Sequence, residues 1–102
     1  MKTKMPERHY RGSRICRVLG NPTAYEILKI LSRGKRQPTE LSEMLKLSIP
    51  TVSICLRNLR HLDLVRYDNL RQGKYYSIKE PAVLDILDRL EALVGKIQKA
   101  EY

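Results

Sequence analysis

The chain is poor in cysteine, and its two thiols, Cys16 and Cys55, stand too far apart in sequence for a secreted disulfide framework or a zinc ribbon. Both read as free thiols. No apolar run approaches the ~18 residues that a membrane span needs, and no signal-peptide core follows the basic N-terminus, so a cytoplasmic protein with no membrane partner is expected. No internal repeat or low-complexity tract is present. The chain also lacks any Ser-His-Asp, paired-carboxylate or phosphate-loop pattern, which leaves no catalytic residues to assign and excludes an enzyme. Acidic residues are scarce: 11 Asp and Glu stand against 20 Lys and Arg, a formal net charge of +9. That imbalance implies a polyanionic partner, of which nucleic acid is the commonest.

The charge is unevenly spread. Residues 1–36 hold 10 basic and 2 acidic side chains, residues 37–79 hold 7 and 4, and residues 80–102 hold 3 and 5, giving +8, +3 and −2. A surface made basic for solubility alone would not end in a mildly acidic segment. The last segment is therefore expected to face something other than the polyanion. At 102 residues the chain reads as a single domain, 1–102, short for a large core but long enough for a small helical fold that completes its burial by dimerising.

Residues 1–6 are expected to be disordered. From Glu7 to Leu19 a polar, basic side opposes Ile15, Val18 and Leu19, which predicts a first helix with a narrow apolar stripe. Gly20 ends it, Asn21 caps the next helix and Pro22 suits that helix's first position. Tyr25, Ile27, Leu28, Ile30 and Leu31 then furnish a second helix that stops before Gly34. Pro38 restarts the chain into a short third helix with Leu41, Met44 and Leu45 inward and Glu40 and Glu43 outward.

A tight connection through Lys46-Leu47-Ser48 leads into a fourth helix. Ser48 is placed to cap it, and Pro50 is tolerated in a first turn where the amide has no intrahelical partner. At 100° per residue Val52, Cys55, Leu56, Leu59 and Leu62 share one face, while Pro50, Ser53, Ile54, Arg57 and His61 share the other. One face packs and the other is free to read. Residues 38–62 thus form a helix-turn-helix in which the second member is the recognition helix.

After Asp63 the period changes. Leu64–Tyr67 and Lys74–Ile78 are rich in β-formers around Gln72-Gly73, predicting a hairpin within 64–79 whose tip carries Arg71 and Lys74. Pro81 then opens a final helix over 81–100, with Val83, Ile86, Leu87, Leu90, Leu93, Val94 and Ile97 in one stripe and Asp85 and Arg89 spaced for an i,i+4 pair. The expected architecture is α+β but mostly α, a winged helix-turn-helix of about five helices and a two-stranded β-wing.

Four places make the chain resemble the ArsR/SmtB family of winged-helix transcriptional regulators over roughly residues 15–94. Leu19-Gly20-Asn21-Pro22-Thr23 with Ile27-Leu28 is similar to that family's entry into its second helix, and Glu40-Leu41-Ser42 to its third. Leu47-Ser48, Thr51-Val52-Ser53 and Leu56-Arg57-Asn58-Leu59-Arg60 resemble its recognition helix. Leu64-Val65 and Gly73-Lys74-Tyr75-Tyr76-Ser77-Ile78 resemble its wing. The resemblance implies a homodimer built on helices 7–19 and 81–100, through Ile15, Val18, Leu19, Val83, Ile86, Leu87, Leu90, Leu93, Val94 and Ile97. It also implies a repressor that binds double-stranded DNA at an imperfect inverted repeat.

Members of that family often release DNA on binding a metal, and here the chain departs. The family's cysteine box falls on Gln37 and Thr39, which cannot form a soft thiolate site. Its other common site falls on Glu80, Ala82, Leu93 and Lys96, with one usable ligand of four. No metal site and no cofactor are therefore expected, and the effector, small molecule or redox species, is left unassigned. The recognition helix departs too, with Ile54 where a polar or basic residue is frequent and Cys55 where histidine is common.

The candidate DNA contacts are Ser48, Pro50, Thr51, Ser53, Ile54, Arg57, His61, Arg71 and Lys74. Arg57 suits phosphate or guanine, the three hydroxyls suit phosphate or base edges, and Ile54 suits a thymine methyl or a sugar. Arg71 and Lys74 read as backbone or minor-groove anchors. Arg8, Arg11, Arg14 and Arg17 recur every three residues as either a phosphate-binding flank or a solvated face. Tyr67, Tyr75 and Tyr76 read as packing against a neighbouring helix with their hydroxyls at the edge, rather than as a stacking platform. Cys55 reads as a small buried apolar residue, and Cys16, flanked by Arg14 and Arg17, as the candidate redox thiol. His9, seven residues before Cys16, shares its side of the helix but brings no second ligand pair. Two rivals to a DNA-binding regulator remain from other classes: a winged-helix module for protein or RNA interaction, favoured by Ile54, and a small metal-binding protein.

Overall fold

The computed structural model describes residues 5–101; residues 1–4, most of the segment expected to be disordered, lie outside the described residues. In chain order the elements are α1 (Glu7–Leu19), α2 (Pro22–Leu31), α3 (Pro38–Leu45), α4 (Ile49–His61), β1 (Val65–Leu70), β2 (Gly73–Ile78) and α5 (Ala82–Glu101). Five helices and one antiparallel two-stranded sheet give a mostly helical winged helix-turn-helix.

Local chemistry sets the boundaries. The Asn21 side chain accepts from the Ala24 N–H at 3.0 Å and fixes the start of α2, with Pro22 in its first turn. At α3 the Glu40 carboxylate reaches back to the Gln37 N–H at 2.8 Å. Ser48 caps α4 by accepting from the Thr51 N–H at 3.3 Å. Between α3 and α4 the chain reverses through Lys46, which sits in the left-handed region at φ 58°, and the Leu47 N–H closes the turn on the Ser42 carbonyl at 3.0 Å.

The core lies where α2, α3, α4, the base of the hairpin and the start of α5 meet. Ile27, Leu28, Leu41, Val52, Leu56, Leu59, Val65, Val83 and Leu87 are its most completely buried side chains. Truncating one of the leucines to alanine costs about 2–5 kcal/mol. The packing face of α4 is as expected, with Val52, Leu56 and Leu59 buried and Cys55 and Leu62 half-buried against them.

Several expectations need correction. Met44 is not inward but 50% exposed, because α3 is so short that Leu41 and Leu45, one turn apart, take the whole of its core-facing side. The hairpin turns through Arg71-Gln72 rather than Gln72-Gly73, since Leu70 pairs with Gly73 and both strands extend to that rung. Asp85 and Arg89 form no ion pair with each other, whereas Glu91 of α5 pairs with Lys29 of α2 at 3.0 Å. Leu19, Val83 and Leu87, assigned from sequence to the dimer interface, belong to the protomer's own core.

One feature had no sequence signal. Arg36, between α2 and α3, pairs with the outer edge of β2: its N–H donates to the Tyr76 carbonyl at 3.0 Å, and the Tyr76 N–H donates to the Arg36 carbonyl at 2.8 Å. The Gln37 amide adds a 2.7 Å hydrogen bond from Nε2 to the Gln72 carbonyl at the turn. A side chain at position 73 would meet that amide at 2.9 Å, and Gly73 has φ +124°, so the position admits only glycine without rearrangement.

Candidate nucleic-acid interface

With Val52, Leu56 and Leu59 holding α4 to the core, its opposite side is presented outward. Pro50, Thr51, Ile54, Arg57 and His61 are exposed there and Ser53 is half-buried. Ser48 and Thr51 are partly committed to each other, their hydroxyl oxygens 2.8 Å apart, so the N-terminal hydroxyls are preorganised as a pair. Arg57 makes no ion pair among the described residues and is free for an external anion. Ile54 is 54% exposed, an apolar patch amid polar neighbours.

The wing stands beside this face. Arg71 is exposed at the turn, as expected. Lys74 is not a free tip residue: its ammonium lies 4.5 Å from the centre of the Tyr67 ring. The register explains this, because Asn69 opposes Lys74 and Tyr67 opposes Tyr76, putting Tyr67, Lys74 and Tyr76 on one face of the hairpin. Tyr76 is buried and its ring centre is 5.4 Å from that of Tyr67, so these two tyrosines pack on each other. Tyr75, on the other face, donates its hydroxyl to Gln72 Oε1 at 3.2 Å.

Sequence reasoning passed over Arg60. Its guanidinium carbon lies 5.6 Å from the same Tyr67 ring, at the junction of α4 and the wing. Arg60 follows Ser53 by seven residues and so shares its azimuth on the helix, a spacing that a count of the free face would have found.

On α1, Arg8, Arg11, Arg14 and Arg17 are all exposed. Arg11 approaches Glu7 at 4.0 Å and Arg14 lies 5.9 Å from the Tyr10 ring. Arg14, Arg17 and Val18 line a cleft of about 160 Å³ against Asn58, His61 and Leu62 of the α4 end. Cys16 is exposed, whereas Cys55 is half-buried and burial pushes its thiol pKa up. Ile15 and Val18 are half-buried on the inner side of α1.

Gln37 is engaged with the wing turn and Glu80 Oε2 accepts from the Ala82 N–H at 3.3 Å, while Thr39, Ala82, Leu93 and Lys96 bring no ligand for a soft or borderline metal. Among the described residues no three His, Cys, Asp or Glu side chains converge. No helix among them is long and apolar enough to cross a membrane.

A helix with a free outer face flanked by a wing, on a core of this order of elements, defines the winged helix-turn-helix class of fold. Residues 21–67, a stretch that spans the helix-turn-helix and the start of the wing, match the model of the bacterial regulatory protein arsR family. Among solved structures, NolR from Sinorhizobium fredii is similar at 28% identity and a TM-score of 0.80, over 93% of this chain and 98% of that one. The transcriptional repressor BigR from Xylella fastidiosa is similar in fold at 20% identity and a TM-score of 0.76, over 85% of this chain and 89% of that one. The homodimeric winged helix-turn-helix DNA-binding domain of Mb0332 from Mycobacterium bovis is similar in fold at 18% identity and a TM-score of 0.81, over 98% and 95%. No curated protein sequence matches this chain.

Proposed function

We propose that this chain is a homodimeric repressor that binds double-stranded DNA sequence-specifically at an imperfect inverted repeat. The observation that carries the reading is the division of α4, with Val52, Leu56 and Leu59 buried and Ile54, Arg57 and His61 exposed beside a wing bearing Arg71. Each half-site takes one α4 in the major groove, where Arg57 meets a phosphate or a guanine edge and Ile54 a thymine methyl. Ser48, Pro50, Thr51 and Ser53 approach the backbone at the start of the helix, and Arg71 and Lys74 hold the flanking backbone. The dimer is built by α1 and α5, whose Ile86, Leu90, Leu93, Val94 and Ile97 form an exposed apolar stripe that a second copy covers. The likeness to BigR, described as a repressor, and to Mb0332, described as homodimeric, supports the reading. Regulation does not run through either of the family's usual metal sites, whose positions lack the ligands.

The test is selection of bound duplexes from a random pool, followed by affinity measurements across salt concentrations for wild type and Arg57→Ala. If Arg57 reads a base, its removal costs ~1–3 kcal/mol at one operator position; if it binds a phosphate, its removal lowers affinity almost uniformly across sequences. Retention on RNA or on a protein partner in preference to duplex DNA would instead favour the interaction-module reading, for which exposed Ile54 is the supporting observation.

A further inference from the structure

Tyr67 gathers two cations from different elements. Arg60 of α4 lies 5.6 Å from the ring centre and Lys74 of β2 lies 4.5 Å from it, so the two charges are at most about 10 Å apart. Neither enters an ion pair among the described residues. Both side chains are exposed, while the ring between them is half-buried and fixed by the buried Tyr76 at 5.4 Å. The ring's negative faces attract each cation, but they do not neutralise two like charges brought to one place. The arrangement lacks an anion.

We propose that Arg60 and Lys74, organised by Tyr67, form a seat for one phosphate of the DNA backbone at the junction of recognition helix and wing. The proposal rests on the DNA-binding reading and adds a phosphate ligand, Arg60, and an organiser, Tyr67, that it does not contain. A phosphate offers oxygens in several directions and accepts from a guanidinium fork and an ammonium together. Arg60 shares the azimuth of Ser53 and lies one turn beyond Arg57, so the seat continues the line of the reading face toward the wing. Tyr67 touches no DNA and acts by position: it holds two flexible side chains near their bound geometry, which reduces the ordering cost of binding.

The seat makes a quantitative demand. One phosphate neutralised contributes about 0.9 to the slope of log affinity against log salt, however many cations share it. The experiment uses the full chain and a duplex selected with wild type, and measures that slope for Arg60→Ala, Lys74→Ala, the double variant, Tyr67→Phe and Tyr67→Leu. Each alanine variant is expected to weaken binding. The double variant is expected to lose about one phosphate from the slope, not about two, with an affinity loss that differs from the product of the single losses. Tyr67→Phe keeps the ring and binds like wild type, whereas Tyr67→Leu weakens binding with both cations still present.

A slope loss of about two with multiplicative affinities would overturn the shared seat, as would wild-type binding by Arg60→Ala. Should Tyr67→Leu fail to fold, the exposed pair Arg60 and Lys74 still decides the matter. If wild type selects no duplex, the DNA-binding reading falls together with the seat. If wild type selects one and the variants match it, only the seat falls.

Discussion

The Tyr25 hydroxyl donates to Glu91 Oε2 at 2.7 Å, joining side chains 66 residues apart in sequence. Lys29, one turn after Tyr25, completes the grip at 3.1 Å to Oε1 and 3.0 Å to Oε2. Two side chains on one face of α2 therefore hold a single carboxylate on α5. The hydrogen bond from Tyr25 and then that from Lys29 hold the Glu91 carboxyl below its ordinary pKa, and the Tyr25 phenol is pushed up to about 12, chiefly by its hydrogen bond to Glu91.

This grip predicts a pH dependence with two limbs. A lowered carboxylate pKa stabilises the fold fully above the ordinary carboxylate range, and that contribution is lost as pH falls through the folded value. The raised phenol pKa works the other way, complete below the ordinary value near 10 and lost as pH rises toward about 12. Urea denaturation of wild type and Tyr25→Phe across the pH scale is expected to show wild type ahead at neutral pH, with the gap closing at both extremes. Glu91→Gln is expected to remove the acid limb.

Two leucines one turn apart on α5 are expected to behave oppositely. Leu90 is 38% exposed and Leu87 only 1%. Leu90→Ala should shift sedimentation toward monomer with the fold intact, since each leucine fully buried at an interface is worth ~1.5–3 kcal/mol and a symmetric dimer loses it twice. Leu87→Ala should instead lower the urea midpoint, by ~2–5 kcal/mol of stability, because it empties the protomer's core.

The two thiols are expected to differ in reactivity. Cys16 is exposed, whereas Cys55 is half-buried with its pKa raised by burial. Since the thiolate is the nucleophile, iodoacetamide followed by mass spectrometry should label Cys16 first and Cys55 much more slowly. Cys16→Ser should remove the fast phase. Cys16 is thereby the thiol an oxidant would reach, and DNA binding by wild type and Cys16→Ser before and after mild oxidant tests whether it reports one.

Lys46 occupies the left-handed region at φ 58° without the latitude of glycine. Lys46→Gly is expected to change stability by no more than ~1 kcal/mol in the stabilising direction, the relieved strain exceeding the added chain entropy. Asp63, at φ 62°, is a different case, because its carboxylate pairs with Lys79 at 3.0 Å and that pair would vanish on substitution. A comparison of urea midpoints distinguishes the two.

Local signals made much of this fold legible in the sequence. Asn21, Ser48 and the prolines beside them mark helix starts because they answer unpaired backbone groups within three residues, and the 100° spacing divides α4 as the structure does. Tertiary facts were less visible. Val83, Leu87 and Leu90 are all apolar members of one stripe, and apolarity alone does not say whether a residue is covered by its own protomer or by a second copy. Arg36 was missed because a single paired residue has no alternation to detect. Lys74 and Arg60 read as independent surface charges until the hairpin register brings Tyr67 between them.

The hydrogen bonds from Arg36 and Gln37 to β2 and its turn bear on how such a regulator can be switched. They stake the wing to the chain just ahead of α3, so that displacing the wing has to break its hydrogen bonds to the segment that leads into α3. A signal arriving elsewhere has little freedom to retract the wing or tilt the reading helix alone. In the dimer we propose, it can change the distance and angle between the two reading heads, which α1 and α5 would set. In that proposed dimer, the grip of Tyr25 and Lys29 on Glu91 joins the reading head to the dimer frame, and such a dimer would measure its operator as a pair of calipers does, by spacing.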